Sequence, residues 1–350
     1  MKLFDFIQPA TIDEALSAWR PGAAWLGGGT NLVDLMKTGA MQPDAVIDIT
    51  RLPGLDRIET LPDGSTRIGA LVRNATLAHD RDFAAAYPMV AEALLSGASG
   101  QLRNVATVAG NLLQKTRCPF FQEPAALCNR RDPGAGCDAM AAPGNSAILG
   151  WSDACIATNP SDFTVPLVAL EAVAEVRGPQ GMREIAVADL QPLPGSTPER
   201  DTALEPGELI LALRLPARAR SFAAHARYLK VRERTSFAFA LASAAAALRI
   251  EGGLIAEARL ALGAVAAKPW RLAEAEAMMT GKAPDAALFA EVAEAVLAMA
   301  NSPDGQKWKI DLARNTAARA LSMAAAGTPA RIPALPASPF GTRIEDPQHV

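Results

Sequence analysis

The 350-residue chain has four cysteines, and three of them, Cys118, Cys128 and Cys137, sit in one short segment with Cys155 close behind. Their spacing is C-x9-C-x8-C-x17-C. Thiolates are soft donors, and three chemistries gather them in this way. Disulfides require an oxidising compartment, and nothing in the text signals secretion. Structural zinc sites usually arrive as paired C-x2–4-C knuckles, and none is present. Four thiolates on an irregular loop also suit a four-iron, four-sulfur cluster, although the ferredoxin spacing is absent. The local text favours the cluster: "RDPGAGC" offers turns and exposed amides to sulfide, and Pro119 and Pro133 stiffen the loop.

Two glycine-bearing stretches suggest a second chemistry. In "LGGGTNL", residues 26–32, three consecutive glycines follow a short apolar run and precede helical text. Without side chains the backbone amides can approach an anion, and the start of a helix adds partial positive charge. Thr30 adds a hydroxyl and Asn31 an amide. The stretch is neither the G-x-G-x-x-G fingerprint nor a P-loop with its lysine. The second stretch, "QLRNVATVAGNLLQ", places Thr107, Gly110 and Asn111 where they can face a pyrophosphate, or simply cap their own loop. Two such loops in one domain favour a bound dinucleotide.

The elements that must position these loops follow from the patterning. "TIDEALSAW" opens with a capping box, Thr11-x-x-Glu14, followed by apolar residues at helical spacing. "AAWLGG" and "DAVIDI" read as strands flanking a helix stopped by Gly39. A hairpin is expected at Asp63-Gly64, helical text through "FAAAYPMVAEALLSGAS", and strands at "AVAEV" and "GELILALRLP". Residues 225–265 read as an antiparallel meander with its hairpin at Glu251-Gly252-Gly253. Three helices are expected after it, in "RLAEAEAMMTG", "DAALFAEVAEAVLAMA" and "DLARNTAARALSMAAAG". Strands followed by helices imply an α+β domain.

A net charge of -3 leaves no basic footprint for nucleic acid. No apolar run reaches the length of a membrane span, so no membrane insertion is expected. The N-terminal text predicts no signal peptide and thus a cytoplasmic chain, or a periplasmic one carried out by a signal-bearing partner. His79, His225 and His349 form no catalytic pattern, and His79 reads as a surface or helix residue.

Taken together, "LGGGTNLVDLMK", "VIDITRLPGL", "IGALVRNATL", "QLRNVATVAGNL" and "PSDFTVPLVALEA" resemble the flavin-binding subunit of the xanthine dehydrogenase/molybdenum hydroxylase family. "YLKVRERTSFAFALASAA" and "LGAVAAKPWRLAEAEAMMTG" resemble that family's C-terminal domain, so the likeness covers nearly the whole chain. "CNRRDPGAGCDAM" and "CIATNPSD" look like the periplasmic aldehyde oxidoreductase branch, whose flavin subunit also holds a four-iron cluster. A similar insert belongs to the 4-hydroxybenzoyl-CoA reductase branch.

The resemblance implies an α+β chain. It would have a two-part FAD-binding domain of the vanillyl-alcohol-oxidase/PCMH-like kind over residues 1–220, with subdomains at about 1–55 and 56–220 and an iron–sulfur insert at about 115–158. A smaller domain, antiparallel sheet plus helices, would occupy 221–327, and a Pro-rich tail 328–350. Leu26, Gly27, Gly28, Gly29, Thr30, Asn31 and Leu32 would wrap the FAD pyrophosphate, with Ala106, Thr107, Gly110 and Asn111 as the second loop. Ala109 stands where the family commonly has glycine and is left out of the contacts. Asp162 would hydrogen-bond the ribityl or flavin portion, Ile210 would pack near the adenine or flavin, and Lys230 would sit near the isoalloxazine. Cys118, Cys128, Cys137 and Cys155 would ligate the [4Fe-4S] cluster.

The family's division of labour implies no catalytic side chains here. A large molybdenum-cofactor subunit would oxidise substrate, and a small subunit with two [2Fe-2S] clusters would pass electrons to FAD and then to an external acceptor. Lys230 and Arg232 would bear on the flavin potential, or merely line a solvated strand edge. Two other readings stand beside this one: a free-standing flavin oxidase, against which the small Ala-rich C-terminal third argues, and a non-catalytic assembly platform.

Overall fold

The computed structural model describes residues 1–305 and 307–330, and most of the expected Pro-rich tail lies outside them. The chain opens with an alternating unit: β1 (Asp5–Ile7), α1 (Ile12–Ala18), β2 (Ala23–Leu26), α2 (Leu32–Thr38) and β3 (Ala45–Asp48). The three strands form a parallel sheet in the order β1-β3-β2. Thr11 caps α1 by accepting from the Glu14 amide at 3.1 Å, and the Glu14 carboxylate reaches back to the Ala10 amide. Gly39 ends α2 in the left-handed region at φ 84°, as a C-terminal glycine does.

The second unit begins with the hairpin β4 (Ile58–Thr60) and β5 (Thr66–Gly69). Seven short helices follow: α3 (Asn74–His79), α4 (Arg81–Ala86), α5 (Pro88–Ser96), α6 (Gly100–Val105), α7 (Val108–Leu112), α8 (Pro119–Gln122) and α9 (Thr164–Ala169). Then come β6 (Val173–Gly178), β7 (Gly181–Ala186), α10 (Val187–Leu190) and β8 (Leu209–Leu215). The five strands make an antiparallel sheet, β4-β5-β8-β6-β7. Its core gathers Ile68, Leu77, Met89, Phe163, Val176 and Leu213.

The last unit is an antiparallel sheet of β9 (Ala226–Val231), β10 (Ala242–Glu251), β11 (Leu254–Gly263) and β12 (Trp270–Arg271), backed by α11 (Ala273–Ala277), α12 (Ala286–Val296) and α13 (Trp308–Ala325). Strand β10 is buried on both faces. Ala244, Ala246 and Leu248 face the helices, whereas Ala245 and Ala247 belong to the core of the preceding unit. Successive strand residues point to opposite faces, so alanine on both faces lets one strand lie closely between two packed layers. The whole is the mixed α+β architecture expected. The first of the three C-terminal helices is shorter than its text suggests, since only Ala273–Ala277 are helical.

Candidate functional site

Residues 26–32 leave the end of β2 and enter α2, so the glycines lie beyond a strand and before a helix. Gly29 is left-handed at φ 72°, and Asn31 is the residue preceding the first helical turn. The second loop leaves α6 and enters α7, with Thr107 capping α7 by accepting from the Gly110 amide at 3.2 Å. The two loops pack face to face. A Cβ on Gly27 would lie 2.9 Å from the Thr107 hydroxyl, and one on Gly28 would lie 2.1 Å from the Val105 carbonyl oxygen. Bare backbone is therefore required where they meet.

The loop asparagines are oriented by neighbours. Asn31 Oδ1 accepts from the Lys115 amide at 2.9 Å, while its Nδ2 is buried without a partner. A buried donor of this kind is costly unless a ligand takes it. Asn111 Oδ1 accepts from Gln114 at 2.7 Å and from the Ser161 hydroxyl at 2.9 Å. Through Ser161 the second loop is joined to Asp162. A glycine cradle, an unanswered amide and two helix starts are a donor set that fits a pyrophosphate.

Asp162 accepts from the Tyr228 hydroxyl at 2.6 Å and from Lys230 at 2.7 Å, and Lys230 also donates to the Ser96 carbonyl. The Lys230 side chain is only 3% exposed, and Arg232 also donates to the Ser96 carbonyl, at 2.9 Å. Lys230 therefore does not stand on a solvated strand edge, whereas Arg232 is half-buried. Desolvation draws the Arg232 guanidinium down, and burial, with Asp162 beside it, raises the Tyr228 phenol well above its ordinary range. Ile210 is 1% exposed within the core of the five-stranded sheet and lines neither cavity described below. Leu26 and Leu32 bracket the glycine loop, and the Ala106 carbonyl accepts from the Asn74 amide at 2.9 Å.

The four cysteines are free thiols and line one small pocket. Cys118 precedes α8, Cys128 and Cys137 face each other across an isolated antiparallel bridge, and Cys155 forms a second bridge with Ser152. Arg131 organises the loop by donating to the carbonyls of Phe120 and Phe121 at 2.8 Å each, and also to those of Pro124 and Ala126. Amide groups point at the sulfurs, among them Ala157 N–H at 3.5 Å from Cys155 Sγ. Burial pushes the Cys118 and Cys137 thiols up, against the pull of amides from Phe121 and Phe120 on Cys118 and from Met140 and Ala139 on Cys137.

Among the described residues no group of three or more His, Cys, Asp or Glu side chains is disposed to hold a metal ion. One tetrahedral zinc would draw every sulfur to ~2.3 Å from a common centre. The donor set, four thiols around one pocket with backbone amides directed at Cys118, Cys137 and Cys155, is of the chemical kind that a four-iron cluster takes.

A second cavity runs from Asp162 past Asn159 and Ser243 to Phe239 and Arg117. Cys118, Phe120 and Ile156 line both cavities, so the thiol pocket and this cleft share a wall.

The family known as the FAD binding domain in molybdopterin dehydrogenase matches residues 2–218, and the CO dehydrogenase flavoprotein C-terminal domain matches residues 227–324. The chain belongs to the FAD-binding medium subunits of the molybdenum hydroxylase family. It is 46% identical over 330 residues to the aldehyde oxidoreductase FAD-binding subunit PaoB of Escherichia coli, covering 93% of this chain and 99% of that one. The carbon monoxide dehydrogenase medium chain of Afipia carboxidovorans is 28% identical over 308 residues, 87% of this chain and 89% of its own. A solved structure, reconstituted CO dehydrogenase from Oligotropha carboxidovorans, superposes with a TM-score of 0.72 at 25% identity, covering 93% of this chain and 99% of that one. The protein is thus a subunit of an oxidoreductase and a flavoprotein of this family.

The structure also brings together residues around the cysteines that spacing alone does not reveal. Arg130 and Lys115 converge on Asp201, at 3.8 Å and 2.8 Å, and Arg130 also reaches Cys155 Sγ at 3.8 Å. Arg117 lies over the Phe239 ring at 5.1 Å, joining the cysteine segment to the β9–β10 loop. The one available signal was the run of basic residues flanking the cysteines, which by itself says nothing about distant partners.

Proposed function

We propose that this chain is the FAD- and iron–sulfur-carrying electron-transfer subunit of a heterotrimeric molybdenum hydroxylase of the aldehyde oxidoreductase type. Its partners would be a large molybdenum-cofactor subunit and a small [2Fe-2S] subunit. The observation that carries the reading is the shared wall: Cys118 lines both the thiol pocket and the cleft that leads to Asp162. The names of the relatives support it, one being the FAD-binding subunit of an aldehyde oxidoreductase and another the medium chain of a carbon monoxide dehydrogenase.

When bound, FAD supplies the exchange between one-electron donors and a two-electron acceptor, and a [4Fe-4S] group supplies one-electron transfer. The residues here hold and orient. The glycine loop and the Asn31 amide would meet the pyrophosphate, with Thr107, Gly110 and Asn111 closing from the opposite side. Asp162 keeps its carboxylate fixed between Tyr228 and Lys230, a rigid polar edge for the flavin end of the cleft. The four thiols would bind the cluster, and the amides directed at them would stabilise their negative charge.

The test is iron, sulfide and flavin analysis on the full chain purified without air, together with Cys118→Ser. The expected result is about four iron and four sulfide per FAD, with iron lost and flavin kept in the variant. Flavin without iron after anaerobic reconstitution, or zinc in its place, overturns the cluster; absence of flavin overturns the whole reading.

A further inference from the structure

Two adjacent arginines in the cysteine segment do different things. Arg131 donates to backbone carbonyls of its own loop, the work of a brace. Arg130 turns inward. Its side chain is 8% exposed, it lines the thiol pocket, and its terminal nitrogen reaches Cys155 Sγ at 3.8 Å. Its Nε is buried with no partner among the described residues. On the far side it meets Asp201 at 3.8 Å, and Asp201 is held in turn by Lys115 at 2.8 Å.

Arg130 places the positive charge of its guanidinium against one of the four sulfurs. Asp201 offsets part of that charge and fixes its position. Lys115 in turn offsets Asp201. Its backbone amide also holds Asn31 of the glycine loop, so one short segment reaches from the thiol pocket to the first glycine loop.

We propose that Arg130 is a positioning residue that sets the reduction potential at the thiol cage, by holding its charge against Cys155. The inference rests on the cluster reading above. One-electron reduction adds a negative charge inside the cage. A neighbouring positive charge stabilises that state, so removing it must lower the midpoint potential.

The experiment is an EPR-monitored redox titration of the anaerobically purified full chain, beside iron analysis, for wild type, Arg130→Gln and Arg130→Lys. Arg130→Gln is expected to lower the equilibrium constant for reduction about tenfold, ~59 mV for a one-electron couple, at unchanged iron content. Arg130→Lys, which keeps the charge but loses the fork, is expected to fall between the two. If Arg130→Gln fails to assemble iron, Asp201→Asn carries the test, since loss of the offsetting carboxylate is expected to raise the midpoint. Wild type without iron defeats the cluster reading itself. Iron present, with midpoints that do not move in Arg130→Gln or Asp201→Asn, overturns the role of Arg130 alone.

Discussion

Gly28 and Gly29 stand side by side in one loop for different reasons. At Gly29 the backbone is left-handed, so glycine relieves the conformation itself. At Gly28 the demand is spatial: a side chain would strike the Val105 carbonyl, and backbone cannot swing aside as a flexible side chain does. Gly28→Ala is therefore expected to force the two loops apart, at ~1–3 kcal/mol, and to lower the flavin-to-protein ratio on purification. Gly252→Ala is the comparison, left-handed at φ 58° in an open hairpin with nothing nearby, and is expected to cost ~1 kcal/mol with flavin retained. Absorbance at the flavin band against protein decides it, and equal flavin content in both variants would sink the argument. The strand–glycine–helix order of this loop was readable from composition and patterning alone. The reason for each glycine was not, since the obstructing carbonyl belongs to a loop remote in sequence. The same holds for Arg130 and Asp201, whose pairing no local pattern announces, whereas the cysteines announced themselves by crowding into one segment.

Elements were legible where burial imposed a period or a turn imposed a residue. The hairpins at Asp63-Gly64 and Glu251-Gly252-Gly253 lie where turn chemistry put them. Strand β7 leaves no signal in the sequence because its side chains are almost all exposed, which removes the alternation. Helix α13 hides another feature behind a good amphipathic pattern. Lys309, in its first turn, is 2% exposed, and its ammonium donates to the Ser146 carbonyl at 2.5 Å. Burial draws its pKa down from 10.5 to about 7. Between those values the unfolded chain binds a proton that the folded chain does not. Stability from this group therefore rises with pH across that window, and the penalty is complete below about 7. Lys309→Met removes the penalty and leaves the Ser146 carbonyl unanswered. It is expected to gain ~2–4 kcal/mol at neutral pH, less whatever the orphaned carbonyl takes back, and to lose that advantage as pH approaches 10. Denaturant midpoints for both proteins at neutral and alkaline pH provide the check. Parallel pH profiles would show that the lysine binds its proton equally well in the folded and unfolded chains, and would sink the argument.

At the scale of the whole molecule, the seam between the two large units is a strand laid along a helix. Strand β9 faces α5. Arg227 grips Glu92 through two nitrogens, at 2.8 Å for the closer, the Tyr228 amide donates to the same carboxylate at 2.7 Å, and Lys230 and Arg232 both reach the Ser96 carbonyl at the end of that helix. Cations at a helix C-terminus are favourable in themselves. Here they also bring Lys230 to Asp162, so the seam that joins the units also builds the polar edge of the cleft. Both partners of the Arg227–Glu92 pair are 12% exposed, and removing one leaves the other charged and largely dry. Glu92→Gln is expected to destabilise by ~3 kcal/mol and to lower the melting temperature by about 5 °C. Flavin would remain bound at room temperature but leave at a lower temperature than in wild type. Melting followed by tryptophan and by flavin fluorescence in the same sample separates the possibilities. A joint fall of both transitions means that the seam and the flavin site open together. A tryptophan transition that falls alone would separate the cleft from the seam, and an unchanged melting point would assign the junction to the alanine packing of β10 instead.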